Sequence, residues 1–457
     1  MKIKLLIALS LFIILSACSQ DDAEKITYQN EFKLSPEDEE FLDTLQYKSF
    51  LYFINEINPE NGLVKDRSTE SSPASIAATG FGVSVWIIGV EHGWMKREDA
   101  AKLTLALLRF LINSEQSAEP VSTGYKGFYY HFIDMKTGER VWNCELSSID
   151  TAWLLAGIIF ARQYFNLDNE AEFEIRNLAV KILSRVDWNF MALSDSSLHP
   201  NTVSMAWKPE RGLNNFGWAH YNEGMFLFVL AASMGYDKID EAYKYMLSTY
   251  EWHEPYEGLA HVIFPPLFGH QYSHMFVDFR GIKDSYMKNK GIDYFENSRR
   301  AVLTQQKYAI ENPMNWKGYD SLTWGLTACD GPGPKYNNDD RKFRDYSARG
   351  ASGPNKIEFD DGTIAPTAAG GSIVFAPEIV IPTLKEMKKR YGSKGLWDKY
   401  GFVDAFNLTV DWFDSDYLGI DQGPIVIMIE NLRTELVWNY VMKDPLIING
   451  LKRLGFN

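Results

Sequence analysis

Apolar residues in this chain recur mostly at the three- and four-residue spacing of an α-helix, and they seldom alternate as in a β-strand. From residue 34 onward the pattern predicts helices joined by long polar loops that contain glycine and proline. One short hairpin, with strands at 127–134 and 139–142, is the exception. Helix pairs follow one another at intervals of roughly 60–70 residues, which favours helical hairpins arranged in a ring. The predicted helices cover residues 36–55, 76–92, 97–114, 147–165, 171–186, 222–234, 237–250, 294–312, 378–390 and 424–442.

The stretch from Trp142 to Phe165, WNCELSSIDTAWLLAGIIFARQYF, has the most pronounced pattern. Ser147 with Asp150 three positions later has the form of a capping box, so a helix is predicted to begin near Ser147. The residues that follow are apolar on nearly every side, which is typical of a helix buried inside a large protein. Glu145 and Asp150 are therefore expected at the mouth of a buried helix. They are either catalytic carboxylates or anions that stabilise the positive end of the helix dipole.

A second predicted helix start carries an acidic residue, Glu223, in the same setting. Asn222 is predicted to cap a buried helix, which places Glu223 in the first turn. Two such mouths facing one cavity would supply the pair of carboxylates that glycoside hydrolysis requires. Compensation of the helix dipole is again the alternative, but a surface cap has no need of the ring-bearing neighbours Trp207, Trp218, His220 and Tyr221.

His270, His274 and Asp278 are spaced by four residues and would share one face of a helix, as metal ligands can. The preceding segment PPLFG favours a loop instead, and the glutamate of the zinc-protease helix is missing. We predict no metal here. His270, Gln271 and His274 are expected to bind sugar hydroxyls, and packing as core residues is the alternative.

Two further segments supply candidate sugar-binding residues. DSLTWGLTACDGPGP places Trp324 and Asp330 among glycines, and DQGP, which contains Gln422, opens the last predicted helix. Glu430 follows inside that helix, where a buried carboxylate needs a partner. It therefore either forms a structural ion pair or lines the substrate wall. The sequence contains no phosphate-binding loop, no dinucleotide fingerprint and no G-x-S-x-G nucleophile elbow.

Composition narrows the range of functions. Aromatic residues make up 14% of the chain, with 13 Trp and 24 Tyr, which exceeds what a core requires and suits packing against the C–H faces of sugars. The net charge of −14 argues against nucleic acid or an anionic membrane surface as a partner. Only Cys144 and Cys329 follow Cys18, so the chain is not a disulfide scaffold, and a bridge between these two stays open.

Residues 1–17 have the basic start, short apolar core and small-residue end of a signal peptide. The segment LSAC, which ends at Cys18, resembles a bacterial lipobox and implies lipidation of that thiol. Residues 19–24 resemble the acidic export tag of Bacteroidetes surface lipoproteins, with an ordinary tether as the alternative. We expect a tether over 18–33, a single catalytic domain over 34–457, and an outer-membrane lipoprotein that faces the periplasm or the cell surface.

Eight segments together resemble the glycoamylase-like domain of glycoside hydrolase family 144, and related segments occur in cyclic β-1,2-glucan synthases. The resemblance extends from about residue 42 to residue 451. The segments are LSSIDTAWLLAGIIFARQYF, YNEGMFLFVLA, FGHQYSHMFVDFRGI, DYFENSRRAVLTQQKYAIENP, WGLTACDGP, DDGTIAPTAAGGSIVFAPE, YGFVDAFNLT and GIDQGPIVIMIENLRTELVW.

This resemblance implies an all-α (α/α)6 barrel with long loops that hydrolyses β-1,2-linked glucan or its oligosaccharides with inversion. It implies Glu223 as the general acid, with Asp150 and Glu145 contacting substrate or positioning water. Gly224 stands where an aromatic residue is expected in many relatives, which implies a more open pocket. We expect a monomer without a cofactor. The residues expected to bind substrate are Trp142, Trp207, Trp218, His220, Tyr221, His270, Gln271, His274, Trp324, Asp330, Gln422 and Glu430.

Three alternative functions are also compatible with the sequence. The chain is a glucoamylase-like hydrolase of another glucan, a glycan-binding lipoprotein without activity, or a metal-dependent transferase that uses His270, His274 and Asp278. Product analysis on a panel of glucans separates the first two from a β-1,2-glucanase, and chelation tests the third.

Overall fold

Fifteen α-helices occur in residues 32–457, the part of the chain that the computed structural model describes. The predicted signal peptide and nearly all of the predicted tether lie outside these residues. The helices are α1 (Pro36–Asn55), α2 (Ile76–Glu91), α3 (Arg97–Asn113), α4 (Ser148–Tyr164), α5 (Glu170–Leu183), α6 (Met225–Ser233), α7 (Ile239–Ser248), α8 (Phe268–Phe276), α9 (Ser285–Lys290), α10 (Tyr294–Glu311), α11 (Pro366–Gly370), α12 (Pro377–Tyr391), α13 (Gly419–Arg433), α14 (Leu436–Val441) and α15 (Pro445–Arg453).

Twelve of these helices alternate along the chain between two degrees of burial. Helices α1, α3, α5, α7, α10 and α12 bury one face and expose the other, as amphipathic sequences do. Helices α2, α4, α6, α8, α11 and α13, which follow them in turn, are buried on nearly every side. Each outer helix thus precedes an inner one, and residues 34–457 form one compact unit. The expected (α/α)6 barrel is confirmed.

Glycines let two inner helices approach closely. A Cβ added to Gly157 in α4 would lie 2.1 Å from the carbonyl oxygen of Gly80 in α2, and one added to Gly80 would lie 2.3 Å from the carbonyl oxygen of Trp153. No side chain fits at either position, so the backbones themselves are in contact. Gly157 therefore serves helix packing and does not interrupt the helix.

Short strands occupy the loops before the inner helices. They are β1 (Ala74–Ser75), β2 (Gly124–Tyr125), β3 (Phe128–Tyr130), β4 (Phe132–Ile133), β5 (Leu146–Ser147), β6 (Ala206–Lys208), β7 (Gly212–Leu213), β8 (Trp252–His253), β9 (His261–Val262), β10 (Ala328–Cys329), β11 (Ser347–Ala348), β12 (Gly350–Ala351), β13 (Ile357–Phe359), β14 (Thr363–Ile364), β15 (Trp397–Asp398), β16 (Gly401–Phe402), β17 (Phe406–Asn407) and β18 (Trp412–Phe413).

The strands join the helix starts to one another. β5, which leads into α4, lies in the middle of a five-stranded sheet of order β2-β3-β5-β6-β7. β1, which leads into α2, pairs with β4 so that Ser75 faces Phe132. Arg67 forms a bridge with Leu418, the residue before α13. These pairings bring the starts of several inner helices together at one end of the barrel.

The predicted hairpin is only partly correct. Its turn forms, since the Gly138 amide donates to the Asp134 carbonyl oxygen at 3.0 Å and Ile133 bridges Arg140. β3, however, pairs with β2 and β5 and not with residues 139–142.

Three other predictions need correction. The predicted helix at 424–442 is two helices, α13 and α14, because Glu435 has a left-handed backbone with φ of 58°. Helix α6 begins at Met225, three residues later than predicted. Residues 268–276 form helix α8 where the sequence favoured a loop, since Pro265 and Pro266 precede the helix and do not interrupt it.

Two further features of the described residues are the state of the cysteines and the hydropathy of the helices. Cys144 and Cys329 are both buried and free, so they do not form the bridge that the sequence left open. Within the described residues, every helix is too short or too polar to cross a bilayer.

Candidate active site

The start of α4 carries the first predicted acid. Ser147 is the N-cap, and its hydroxyl oxygen accepts a hydrogen bond from the Asp150 amide at 3.1 Å, as the sequence predicted. The same hydroxyl donates to the Asp150 carboxylate. Burial raises the pKa of Asp150, although the charge of His131 and this hydrogen bond act in the opposite direction. Asp150 is thus fixed by its own cap and surrounded by protein.

His131, in the loop between β3 and β4, joins Asp150 to Glu145. Its Nδ1 lies 2.8 Å from Glu145 Oε1, and its Nε2 lies 3.4 Å from Asp150 Oδ1. The hydrogen bond and charge of His131 outweigh burial and lower the pKa of Glu145 to about 2. The two acids predicted in this stretch therefore share one cationic partner.

Glu223 lies before α6 and not within its first turn. Gly224 is the N-cap, and the Asn222 side-chain oxygen accepts from the Gly224 amide at 2.8 Å in a local turn that delays the helix. Burial and the negative charge of Asp150 together raise the pKa of Glu223 to about 7. The charge of Asp150 acts on Glu223, so the two carboxyl groups lie near each other, and that the two predicted helix mouths face one cleft stays a prediction.

A second acidic group lines the cleft around Arg67. The Arg67 guanidinium lies 2.9 Å from Asp330 and 3.2 Å from Asp416, and its Nε lies 3.4 Å from Asp66. Asp66 also acts electrostatically on His131. The carboxylate of Asp66 thus connects this group to the one around His131.

Asp404 and Asp414 extend the second group toward α13. Their carboxylate oxygens and one of Asp330 lie within 4.8 Å of one another, and these three residues are the ones in the described chain that could hold a metal ion. Burial, together with the charge of Asp330, raises the pKa of Asp404 to about 7, and burial together with Asp404 does the same for Asp414. Asp421, at the start of α13, has a pKa raised well above its usual value by burial and by Asp404. Such closely spaced acids retain protons near neutral pH.

Tyr272 in α8 lies between the two groups. Its hydroxyl donates to the Ile420 carbonyl oxygen at 2.9 Å. Burial raises its pKa well above the usual value, and the charges of Asp421, Glu223 and Asp150 add to this effect. Tyr272 therefore lies near Asp421 of α13, near Asp150 of α4 and near Glu223, which precedes α6.

Two of the predicted substrate-binding residues lie open to solvent beside these acids. Trp142 is 66% exposed, with its ring 5.2 Å from that of Phe132, the neighbour of His131. His220 is also exposed and lines a cavity of about 570 Å³ with Tyr221 and Phe264. Both have left-handed backbones, with φ of 55° and 60°, and such strain in non-glycine residues concentrates at functional loops.

Four other predicted aromatic residues make packing contacts between helices or within the sheet. Trp207 in β6 packs on Tyr125 at 5.3 Å between ring centres, within the five-stranded sheet. Tyr221 is buried and stacks on Tyr294. Trp218 and Trp324 are buried, and each donates from Nε1 to a hydroxyl, that of Ser148 and of Thr383 respectively.

The residues predicted on α8 are also structural. Gln271 donates to the Ala368 carbonyl oxygen of α11 at 2.8 Å. His270 and His274 are buried, and burial lowers the pKa of both, to about 3 for His274. Their separation by four residues on a buried helix reflects core packing, the alternative that the sequence left open. Asp278 pairs with Arg280 at 2.8 Å and does not join them in a metal site.

The two residues of α13 that were predicted to bind substrate lie at different positions along the helix. Gln422 is buried near its start, where it donates to the Phe402 carbonyl oxygen at 3.0 Å. Glu430 lies about two turns farther on, 2.6 Å from His92 Nε2, and its pKa is lowered by that contact despite burial. Glu430 is thus a structural ion pair away from the helix starts, which corrects its assignment to the substrate wall.

Several residues of the cleft were not predicted from sequence: His131, Arg67, Asp66, Asp404, Asp414, Asp416 and Tyr272. Asp421 is different, because an acid at the start of a buried helix repeats the setting of Asp150. That signal was present in the sequence. The others lie in irregular loops or inside a helix, where neither periodicity nor a cap distinguishes them.

Comparison with known proteins agrees with this architecture. The family model described as putative glucoamylase covers residues 215–445. A solved structure from Bacteroides uniformis, described as a putative glucoamylase, has 33% identity and a TM-score of 0.79, over 93% of this chain and 99% of that one. An endo-β-1,2-glucanase from Chitinophaga pinensis, solved with sophorotriose and glucose, has 25% identity and a TM-score of 0.77 over the same shares of the two chains.

A curated relative extends beyond this chain. It is an exo β-1,2-glucooligosaccharide sophorohydrolase acting at the non-reducing end, from Parabacteroides distasonis, and it is 29% identical over 91% of this chain. The present chain spans 58% of the length of that relative.

Proposed function

The chain belongs to the glycoamylase family, described as putative glucoamylase, and from that premise we propose that it is a glycoside hydrolase that cleaves β-1,2-linked glucan or its oligosaccharides. The similar proteins from Chitinophaga pinensis and Parabacteroides distasonis act on β-1,2-linked glucans by their descriptions. They include an endo- and an exo-acting enzyme, so both modes are compatible with this architecture.

One observation carries the proposal: burial and the nearby negative charge of Asp150 together raise the pKa of Glu223 to about 7. A glycosidase needs a protonated carboxylic acid to protonate the departing glycosidic oxygen and an ionised carboxylate opposite it. Burial favours the protonated form of Glu223, and the charge of His131 stabilises the ionised form of Asp150. We assign Glu223 as the general acid.

The base is one of the carboxylates on the opposite wall. Asp150 and Glu145 are the first candidates, and Asp330 is the next, unless a substrate hydroxyl relays the proton. Glu430 is not a candidate base, because it pairs with His92 at 2.6 Å. Attack by water activated in this way inverts the anomeric configuration, so proton NMR of the first products should show the α-anomer at the new reducing end.

The test is incubation of the protein with linear β-1,2-glucan and, in parallel, with α-1,4-glucan. Sophorose or short β-1,2-oligosaccharides are the expected products, and their size distribution over time distinguishes exo from endo action. Release of glucose or maltose from α-1,4-glucan alone would replace the proposed substrate. Binding of β-1,2-glucan without products would make the protein a glycan-binding module.

We also propose that Cys18 carries a lipid that anchors a monomeric enzyme to the outer membrane, facing the periplasm or the cell surface. The support is the lipobox-like segment LSAC and the acidic residues after it. Metabolic labelling with a fatty acid should mark the wild-type protein and not Cys18→Ala. Labelling of both proteins would contradict the proposal.

A further inference from the structure

We infer that His131 is a positioning residue of the proposed hydrolase: as an imidazolium it bridges Glu145 and Asp150 and keeps both carboxylates ionised opposite the protonated Glu223. This inference rests on the proposed function for its catalytic meaning. The structural part of the inference is that His131 is charged and contacts two carboxylates, and this part can be tested without any substrate.

With both acids ionised, the two contacts of the ring favour the charged form of His131. Nδ1 lies 2.8 Å from Glu145 Oε1, and Nε2 lies 3.4 Å from Asp150 Oδ1. A neutral imidazole has only one N–H, so one of its nitrogens would present a lone pair to a carboxylate oxygen. Only the imidazolium donates toward both acids.

The main chain around His131 is held as firmly as its ring. Its amide donates to the Glu145 carbonyl oxygen at 2.9 Å, and its carbonyl oxygen accepts from the amide of Ile76, the first residue of α2, at 3.1 Å. The ring stacks on Phe132 with 3.9 Å between centres and an interplanar angle of 13°. The position of the imidazole is therefore set by α2 and β5, and the acids are positioned against it.

Three carboxylates from neighbouring elements favour a cation at His131. Asp150 approaches from α4, Glu145 from the loop before β5, and Asp66 from the loop before β1, while Lys208 of β6 acts on Glu145 from the other side. Burial alone would lower the pKa of His131, but these three carboxylates raise it to about 9. The site is thus a small salt-bridge network with one cation between two acids.

The function of this network is to separate the protonation states across the cleft. Burial favours the neutral form of Asp150, which would leave two protonated acids facing each other and no base. The charge of the imidazolium opposes this effect on both Asp150 and Glu145. An ionised Asp150 in turn raises the proton affinity of Glu223.

The experiment compares His131→Gln with His131→Lys and with the matched control His92→Gln. Gln keeps hydrogen-bonding capacity without charge, and Lys keeps the charge. His92 also pairs with a buried glutamate, Glu430, at 2.6 Å, but away from the cleft. In His131→Gln the acidic limb of kcat/KM on β-1,2-glucan should move up by about 1 pH unit or more, because a nearby opposite charge shifts a carboxyl by this amount. His131→Lys should restore most of the shift, and His92→Gln should leave the limb in place.

A second measurement is independent of activity. In protein with labelled histidine, the His131 ring signals, assigned by their loss in His131→Gln, should stay those of the imidazolium up to about pH 8 and titrate near the pKa of about 9. Titration below pH 7, or an unmoved acidic limb in a folded His131→Gln variant, would overturn the inference. If the wild type cleaves no β-1,2-glucan, the proposed function fails, while the NMR titration still decides the charge of His131.

Discussion

Trp218 donates a hydrogen bond from its indole Nε1 to the Ser148 hydroxyl at 2.9 Å. This bond ties the loop that carries Glu223 to the first residue of the helix that carries Asp150. The Ser148 hydroxyl itself donates to the Ser204 carbonyl oxygen at 2.8 Å, so the junction is fully bonded. The distance between the proposed acid and its opposing carboxylate therefore depends on this buried indole.

Trp218→Phe should reduce kcat/KM on β-1,2-glucan by about tenfold or more. Phenylalanine fills most of the same space but cannot donate the bond, and small misplacements of catalytic groups cost large factors in rate. Steady-state kinetics measures the effect. The lost bond should also lower the free energy of unfolding by about 1–3 kcal/mol.

Trp324→Phe is the matched control for this prediction. Trp324 is equally buried and donates to Thr383 at 2.9 Å, and the Thr383 hydroxyl in turn donates to a backbone carbonyl oxygen. The control should lose similar stability while retaining its kcat/KM at a temperature where both proteins are folded. An equal loss of activity in the two variants would mean that the Trp218 bond has no special role in positioning.

Glu223→Gln should reduce kcat by about a hundredfold or more, because a positioned general acid contributes about 10²–10⁴. The amide has the size and shape of the protonated acid, so substrate affinity should be retained. Calorimetry with a β-1,2-oligosaccharide measures binding, and reducing-sugar release measures turnover. Turnover close to that of the wild type would remove Glu223 from the mechanism.

The pH dependence follows from the protonation state that each acid needs. Glu223 acts in its protonated form, so kcat/KM should fall as the pH rises through about 7, the pKa of that group. The opposite carboxylates act as anions, so activity should also fall at the acidic end. A pH–rate profile measures both limbs, and activity still rising at pH 8 would contradict the assignment.

The same raised pKa predicts a change in stability. A carboxyl whose pKa is higher in the folded than in the unfolded protein contributes stability below its unfolded pKa, and this contribution is lost as the pH rises through the folded value. Glu223→Gln removes that dependence. Its melting temperature should therefore gain on that of the wild type between pH 4 and pH 8. A constant difference would show that Glu223 is not desolvated.

Gly157→Ala should lower the free energy of unfolding by about 1–3 kcal/mol, because a Cβ at 2.1 Å from the Gly80 carbonyl oxygen forces α2 and α4 apart. Gly392→Ala is its control. Gly392 has φ of −54°, and its added Cβ would meet Trp397 at an ordinary 3.5 Å, so this change should be neutral or slightly stabilising. Denaturant unfolding measures both, and equal stabilities would mean that the helices separate at no cost.

The sequence by itself determined the features that depend on neighbours along the chain. The bounds of α1, α2, α3 and α10 follow from periodicity and from local caps such as Ser35. The burial of α4 follows from an apolar surface on all sides. Glu145, Asp150 and Glu223 were found because an acid before a buried helix is a local pattern, and the family resemblance supplied the barrel that joins them.

Only the tertiary structure decided which partners those residues have. Glu430 pairs with His92, 338 positions away, and Arg67 pairs with Asp330, 263 positions away. Composition likewise gave the number of tryptophans but not which of them are exposed. Trp142 is exposed to solvent beside the acids, whereas Trp324 is 1% exposed. Closure of the barrel sets these contacts, because it brings loops of unrelated sequence to the same end. Charge and desolvation act through space, so His131 acquires its role only when α2, α4 and β5 meet around it.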